Sequence, residues 1–519
     1  MSKQYDVIVI GAGNGGLAAA ADCAREGLST LLLERHNIPG GSASSFVRGR
    51  FEFEPSLHEL AGISASDVEV GNIEQIFNKW GADVDWYRHD STFRLVVPAK
   101  EGDTDTFINE DGVEVVIDAR MPVGFENFAR KLDEIVPGSY ESCMAAFDLS
   151  DRMFKAFECM DDLSKLPGSL KDVPDIMRMT SHTMTEALDA LGMPKKAQDI
   201  FNTYWCYMGV PASTFDFLYY LCVLHSYVKN GTGIPHLRSH EMSLAIDKVI
   251  REHGGEIWYN SEVTKVIMRK GKPVGVVING EKEVYSKYII CNSYPYAVFN
   301  DLFDKEDVPE KQLKMLNARK TAVTLTTVYL GMNKTKEELG IKDYSIFIAP
   351  DSDSDKQFEL VKDYFSGYCI INCLNEIIPD CTPEGTCQLF LTSMTHGDVM
   401  KDIKPQDYKK FKTKVAEDMI ETCEKALNIS IKPYIEEIEI ALPPTFSRYL
   451  NTPWGTPYGY MLEKWDSMLP RTVQYLKDQP FDNFFFCGAT QERGDGYGCA
   501  YYTGEKAAGI VIKKIKEGK

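Results

Sequence analysis

Short apolar runs, rather than amphipathic helices, mark both ends of this chain. Val7–Ile10 is an unbroken apolar run, the pattern of a strand buried on both faces. An alanine-rich helix is predicted over Leu17–Arg25 and a second strand over Leu31–Leu33. Close to the C-terminus Phe484–Phe486 repeats the buried-strand pattern, and Ala500–Lys514 reads as a helix. In mid-chain the segment after His253-Gly254-Gly255 predicts a strand at Glu256-Ile257. A three-stranded meander with turns at Gly271 and Gly280 follows, then a final strand Tyr288–Cys291. The intervals between these pieces read differently. From about Val70 to Val223 the pattern is mainly helical, with amphipathic stretches at Phe125–Ile135, Tyr140–Met160 and Thr183–Leu191. From about Leu302 to Pro443 helices mix with strands, including Val323–Leu330, Ile346–Ala349 and Gln388–Ser393. No internal repeat or low-complexity segment interrupts them. The pattern predicts an α/β unit assembled from three separated pieces, with a second domain built from the two insertions.

Glycines sharpen this picture. Between the first strand and helix stand Gly11, Ala12, Gly13, Asn14, Gly15 and Gly16, a G-x-G-x-x-G pattern. The first glycine allows a tight turn, the second lets a pyrophosphate approach the backbone, and the third permits close helix–strand packing. The helix that follows offers free N–H groups and a positive dipole end to phosphates. Glu34 ends the second strand at the position of an acid that binds a ribose hydroxyl. Arg35 follows, then a second pair, Gly40–Gly41, and Ser42. The C-terminal segment NFFFCGATQERGDGYGCAYYTG, Asn483–Gly504, carries Gly488, Ala489, Gly494, Gly496, Tyr497 and Gly498 in a loop before the last helix. An ordinary strand–loop–helix explains its apolar residues but not so many glycines.

An acid, a base and then Gly-Gly, with the glycine-rich C-terminal segment, resembles the phytoene desaturase, carotenoid isomerase and retinol saturase group of FAD-dependent oxidoreductases. That group lies within the amine-oxidase-type flavoproteins. The resemblance implies a Rossmann-type, glutathione-reductase-like FAD-binding domain from residues 1–69, 224–301 and 444–519. An inserted α+β substrate domain with a helical cap would comprise 70–223 and 302–443. It places FAD against Gly11–Gly16, Glu34, Arg35, Gly40, Gly41 and Ser42. Val263 backbone would lie against the adenine, and Gly488, Ala489, Gly496, Tyr497 and Gly498 near the isoalloxazine. Three departures stand out. Ser42 follows the Gly-Gly pair where desaturases and amine oxidases carry Arg, Glu54-Pro55-Ser56 stands for Asp-x-Gly, and Pro235–Glu241 replaces a P-x-G-G stretch. The charged cluster Arg238–Glu241 is either a solvated helix cap or a feature of the site.

The resemblance also places a substrate tunnel along FNTYWCYMGVP, Phe201–Pro211, so that Tyr204, Trp205, Tyr207 and Met208 line an apolar slot, although plain core packing explains such aromatic density as well. A second wall is the Pro- and Gly-broken loop Arg448–Tyr460, with Tyr449, Trp454 and Tyr458. For acid–base chemistry the candidates are His58 and Glu59, just after the aromatic strand Phe51–Phe53, and Tyr497 in the glycine loop. A histidine satisfied by the backbone is the plainer alternative. The implied reaction is isomerisation, saturation or desaturation of carbon–carbon double bonds in an apolar polyene, isoprenoid or fatty-acid-like substrate. A non-catalytic prenyl- or lipid-binding protein of the same fold and an amine oxidase are the competing readings. The intact cofactor motif speaks against the first, and the residue after Gly41 against the second.

Composition adds limits. A chain of 519 residues with 44% hydrophobic content can bury a large core in two or more domains. Its net charge of −19 and the lack of a basic stripe speak against a nucleic-acid partner. The 13 cysteines are scattered, several inside apolar segments, which predicts reduced buried thiols rather than disulfides or structural zinc. The cofactor motif starts within ten residues of Met1. The expectation is therefore no signal or transit peptide and a cytoplasmic location. Peripheral membrane contact, for which Leu170–Leu191 is the candidate surface, would give an apolar substrate its entry. No motif names the electron donor or acceptor.

Overall fold

The computed structural model describes residues 4–64, 72–161, 178–179, 181–494 and 496–518. Two large sheets organise them. The first has seven strands in the order Glu256–Trp258, Thr30–Leu33, Gln4–Ile10, Lys282–Cys291, Lys272–Ile278, Val263–Arg269, with Phe484–Phe486 also paired to Lys282–Cys291. The strand Lys282–Cys291 is the hinge of the assembly. One edge pairs with Gln4–Ile10 in parallel; the other is shared between Lys272–Ile278, up to Tyr285, and Phe484–Phe486, from Ile289 onward. Chain segments almost five hundred residues apart are thereby brought to one sheet. The third strand of the meander and the expected final strand Tyr288–Cys291 prove to be one continuous strand. Nothing breaks it, because Ser286 is buried within the ladder with its hydroxyl donating to the Tyr288 carbonyl at 2.8 Å.

The helix Asn14–Arg25 covers this sheet together with Ser239–Glu252 and the C-terminal helix Tyr497–Lys516. Its residues from Asn14 to Ala24 are all buried, so alanine serves here as the small residue that lets helices approach. The C-terminal helix approaches it tightly at Gly504, where a Cβ would meet the Gly15 carbonyl oxygen at 2.2 Å.

The second sheet has eight strands in the order Ile435–Ala441, Thr324–Met332, Cys387–Thr395, Cys369–Cys373, Ser345–Ile348, Ser91–Pro98, Glu114–Pro122, Phe107–Ile108. Cap helices including Phe125–Ile135, Tyr140–Asp161 and Phe217–Asn230 pack on one face through Phe93, Leu95, Phe128 and Phe147. The helix Tyr408–Leu427 packs on the other through Val415, Met419 and Cys423. Three of these strands come from the interval read as mainly helical. Glu114–Pro122 alternates buried and half-exposed positions along its length, the period of a strand. Ser91–Pro98 is disguised by Arg94, which is 3% exposed and bridges Asp118, Asp111 and Asp343 inside the sheet. The helix Phe217–Asn230 runs through the expected boundary at residue 223. A small third sheet, Leu60–Ala61 with Thr232–Pro235 and Trp86–His89, joins the two halves beside His58 and Glu59. Among the described residues no helix is long and apolar enough to cross a membrane. Of the candidate membrane surface Leu170–Leu191, residues 170–177 and 180 lie outside the described residues.

Candidate functional site

One cavity of about 1690 Å³ runs along the junction of the two sheets. At its mononucleotide-like end the loop after the first strand is built from absences. Gly13 is paired with Gly40 by a parallel bridge, which sets the two glycine segments side by side. A Cβ on Gly13 would reach the Asn292 amide nitrogen at 2.6 Å, and one on Gly15 the Gly488 nitrogen at 3.0 Å. Neither the helix Asn14–Arg25 nor Tyr497–Lys516 has a side-chain N-cap, so their first N–H groups are left for another acceptor. Glu34 braces this cradle: its two carboxylate oxygens accept from Ala12 N at 2.7 Å and from His36 N at 2.8 Å. Each oxygen keeps a lone pair for a ribose hydroxyl. A side-chain-free cradle, two uncapped helix starts and a braced acid fit a dinucleotide such as FAD.

Most of the expected cofactor residues line the cavity: Gly11, Gly13, Asn14, Gly15, Glu34, Arg35, Gly40, Gly41, Ser42, Val263, Gly488, Ala489, Gly496, Tyr497 and Gly498. Ala12 and Gly16 do not. Ala12 is fully buried behind the loop, and a Cβ on Gly16 would collide with the Gly11 carbonyl at 1.8 Å, so both shape the turn from behind. Arg35 donates to the carbonyls of Arg448 (2.7 Å) and Tyr449 (3.0 Å). Sequence reasoning missed Asn292, whose side chain stands among Gly13, Gly15 and Gly488 at the strand end; only its position after Cys291 signalled it.

The turn that follows the aromatic strand is set by the departure at Glu54. Its buried carboxyl accepts from Leu57 N (2.9 Å), Ser56 N (3.2 Å), and both Ser239 N and Ser239 Oγ (2.9 Å each). Burial still pushes it up to about 7. Glu54 thus ties the turn to the start of the helix Ser239–Glu252 and fixes where the next residues point. Tyr497 donates to the Ser42 carbonyl at 2.8 Å, and its hydroxyl lies 2.9 Å from Ser56 Oγ. It is a staple across the same turn.

Next come His58 and Glu59, which do face the cavity. Tyr207 donates its hydroxyl to Glu59 Oε1 at 2.9 Å and lies 3.4 Å from His58 Nδ1. His58 Nε2 is 3.2 Å from Thr392 Oγ1, which in turn is 3.4 Å from Thr327 Oγ1. Tyr344 donates to the His58 carbonyl and holds the backbone. Desolvation pushes the Glu59 carboxyl up to about 8, against the lowering effect of the Tyr207 hydroxyl, and takes His58 down to about 4. Both groups are therefore uncharged at neutral pH. Thr392 and Thr327, on strands of the second sheet, gave no signal in the sequence beyond β-propensity.

The expected substrate residues divide. Tyr207, Met208, Tyr449 and Tyr458 line the cavity. Tyr449 does so beside Arg35 and His36, on the side of the cofactor motif rather than the apolar slot. Tyr204 and Trp205 do not reach it. They are packed in the core of the cap, with Tyr204 donating to the Thr92 carbonyl (2.9 Å) and Trp205 Nε1 to Gln357 (2.6 Å). From the short helix Trp205–Met208 it is Cys206, Tyr207 and Met208 that reach the cavity. Trp454 is 48% exposed and outside the cavity; its left-handed backbone, φ 56°, turns it over Gly397. The cluster Arg238–Glu241 is also away from the cavity. Buried Arg238 donates to the Cys381 carbonyl at 2.5 Å, and Glu241 caps the Asp85 and Leu237 N–H groups, so the cluster fastens the two halves together. The described cysteines are free thiols.

A sequence model of the FAD dependent oxidoreductase family matches residues 6–101. The chain is 23% identical to the all-trans-retinol 13,14-reductase of Danio rerio, over 94% of this chain and 82% of that protein. It is 24% identical to the chloroplastic prolycopene isomerase of Daucus carota, over 89% and 72% respectively. The fold superposes on cyclohexylamine oxidase from Brevibacterium oxydans with a TM-score of 0.62, at 15% identity, covering 99% of this chain and all of that one. The glycine cradle, the family match and the relatives along nearly the whole chain agree: this is an FAD-dependent oxidoreductase of the amine-oxidase-type flavoprotein fold, similar to retinol 13,14-reductases and prolycopene isomerases.

Proposed function

We propose that this protein acts on carbon–carbon double bonds of an apolar polyene or isoprenoid lipid, by isomerisation or saturation in preference to desaturation. The observation that carries the reading is the single cavity, which joins the glycine cradle to an apolar slot through the His58–Glu59–Tyr207 cluster. Val223, Leu325, Ile370, Met394 and Met468 line that slot, walls that suit a long hydrocarbon. The names of the relatives, a retinol reductase and a prolycopene isomerase, support a conjugated substrate. Bound FAD supplies two-electron redox chemistry. The chain's own share is to hold the lipid in line, exclude water and manage a proton at the buried cluster. We assign FAD to residues 1–69, 224–301 and 444–519 and the lipid to 70–223 and 302–443, with the boundary at 223 moved to the end of the cap helix Phe217–Asn230; the segregation of strands into two sheets supports that division. An apolar lipid must arrive from a membrane or a carrier, so peripheral contact with a lipid surface belongs to the same reading. The test is an anaerobic absorption spectrum of the purified protein, release of FAD on denaturation, and incubation with retinol and prolycopene followed by product mass. Unchanged mass with altered geometry means isomerase, two added hydrogens saturase, two lost desaturase. A protein that binds no FAD would refute the reading.

A further inference from the structure

We propose that Glu59, which lines the cavity, is the proton-holding group of the site, a neutral carboxylic acid with one oxygen free of protein partners, and that Tyr207 is the positioning residue that aims it. The inference rests on the polyene reading for its substrate, but not for the state of the carboxyl. Glu59 is 4% exposed, and its side chain makes one hydrogen bond, Tyr207 Oη to Oε1 at 2.9 Å; Oε2 has no protein partner although it is buried. A carboxylate with one neutral donor and one orphaned oxygen, in a low-dielectric wall, is an expensive state. A carboxylic acid is not: Oε1 accepts from Tyr207, and Oε2, which has no protein partner, carries the O–H on a residue that lines the cavity. The groups that face it are Tyr207, Tyr204 and Cys206 from the cap, His58 from its own turn, and Tyr344 and Tyr227 around the backbone. Burial drives Tyr204, Tyr207, Tyr344 and Cys206 towards their protonated forms and His58 towards its neutral form, so none of these groups supplies a charge to ionise Glu59. Among the described residues no lysine or arginine pairs with it.

The step this permits is a proton transfer with no net redox change. The Glu59 O–H bond breaks as a C–H bond forms with the π pair of the substrate double bond, leaving a cation delocalised along the polyene. The former double bond turns in that cation, and return of a proton to the Glu59 carboxylate restores the polyene. His58 has no part as donor; its ring is the neutral partner of Thr392 and Tyr207.

The test uses the holoprotein with FAD bound. Its infrared spectrum at pH 7 should contain an un-ionised carboxyl band that is absent in Glu59→Gln, with FAD content equal in both. The buried Glu54 carboxyl, raised to about 7, contributes to both spectra, so the readout is their difference: if no un-ionised carboxyl component is lost in Glu59→Gln, the assignment is overturned. Tyr207→Phe should retain the band and move its pH midpoint upward, because the hydroxyl that favours the ionised form is gone; an unmoved midpoint reduces Tyr207 to packing. With prolycopene or retinol in D2O, wild type should place deuterium on a polyene carbon. Glu59→Gln should lower that incorporation about 100-fold or more at unchanged KM. Turnover without deuterium overturns the transfer step. No turnover by wild type, with the infrared difference intact, overturns the polyene reading and the transfer while the neutral carboxyl stands.

Discussion

The C-terminal helix contains two glycines that should respond in opposite directions to the same substitution. At Gly504 an alanine Cβ would lie 2.2 Å from the Gly15 carbonyl oxygen and 2.8 Å from Ala18 Cβ. Ordinary contacts begin near 3.5 Å, so the helices Tyr497–Lys516 and Asn14–Arg25 must part by roughly 1 Å. Overpacking of that kind costs about 1–3 kcal/mol, against a gain of about 0.5–1 kcal/mol from replacing a helical glycine. The mid-range net loss is about 1 kcal/mol, within bounds of about 0–2.5 kcal/mol. It falls on Gly15, in the loop that cradles the dinucleotide, so FAD affinity should weaken by about 5- to 10-fold. At Gly509, exposed and five residues on in the same helix, nothing lies within 4 Å of an added Cβ. Gly509→Ala should therefore stabilise the protein by about 0.5–1 kcal/mol and leave FAD affinity alone. FAD titration by fluorescence quenching, with melting curves at fixed FAD, measures both quantities. If Gly504→Ala binds FAD as wild type does and melts at or above it, the close helix contact is not what secures the cradle.

Glu34→Gln keeps one acceptor for two N–H donors, Ala12 and His36, and should weaken FAD binding by about tenfold, roughly 1.5 kcal/mol, read by the same titration. Arg94→Met removes the centre of a buried cluster, leaving Asp118, Asp111 and Asp343 without it. The expected cost is about 3–5 kcal/mol of stability, seen as a lowered melting temperature, with FAD affinity of the folded protein unchanged. Burial raises Asp118, but the Arg94 guanidinium outweighs it and holds the carboxyl low, so its contribution is full above the free Asp value and lost as pH falls through the folded one. His58, down at about 4 in the fold, contributes fully above the free histidine value of about 6.5, and that contribution is lost as pH falls towards 4. Glu59 runs the other way: raised to about 8, it favours the fold at low pH and costs stability as pH rises towards 8. The melting temperature of Glu59→Gln should accordingly gain on wild type between pH 5 and pH 9; a constant difference would contradict the buried neutral carboxyl.

What could be read from the sequence was whatever local chemistry dictates by itself. The G-x-G-x-x-G loop works only without side chains, so Gly13 and Gly15 announce the cradle at any similarity level. Apolar runs buried on both faces, such as Val7–Ile10 and Phe484–Phe486, likewise identify parallel strands without reference to partners. The strands Ser91–Pro98 and Glu114–Pro122 escaped for opposite reasons. The alternation in the second was present but lost among helical neighbours, while Arg94 in the first looks solvent-facing until its carboxylates, 17 to 249 residues away, are known. The site divides along the same line. His58 and Glu59 could be named because they follow the aromatic strand, but their state depends on Tyr207 and Thr392, which other elements deliver. Tyr204 and Trp205 show the converse. Their composition resembles that of Tyr207–Met208, and only the packing of the turn and short helix decides that Tyr204 and Trp205 fill the core while Cys206, Tyr207 and Met208 meet the cavity. A motif whose function is carried by the backbone can be read locally. A pocket made of side chains from many separated segments has no local signature, and the protonation of Glu59 is a property of that enclosure rather than of the residue.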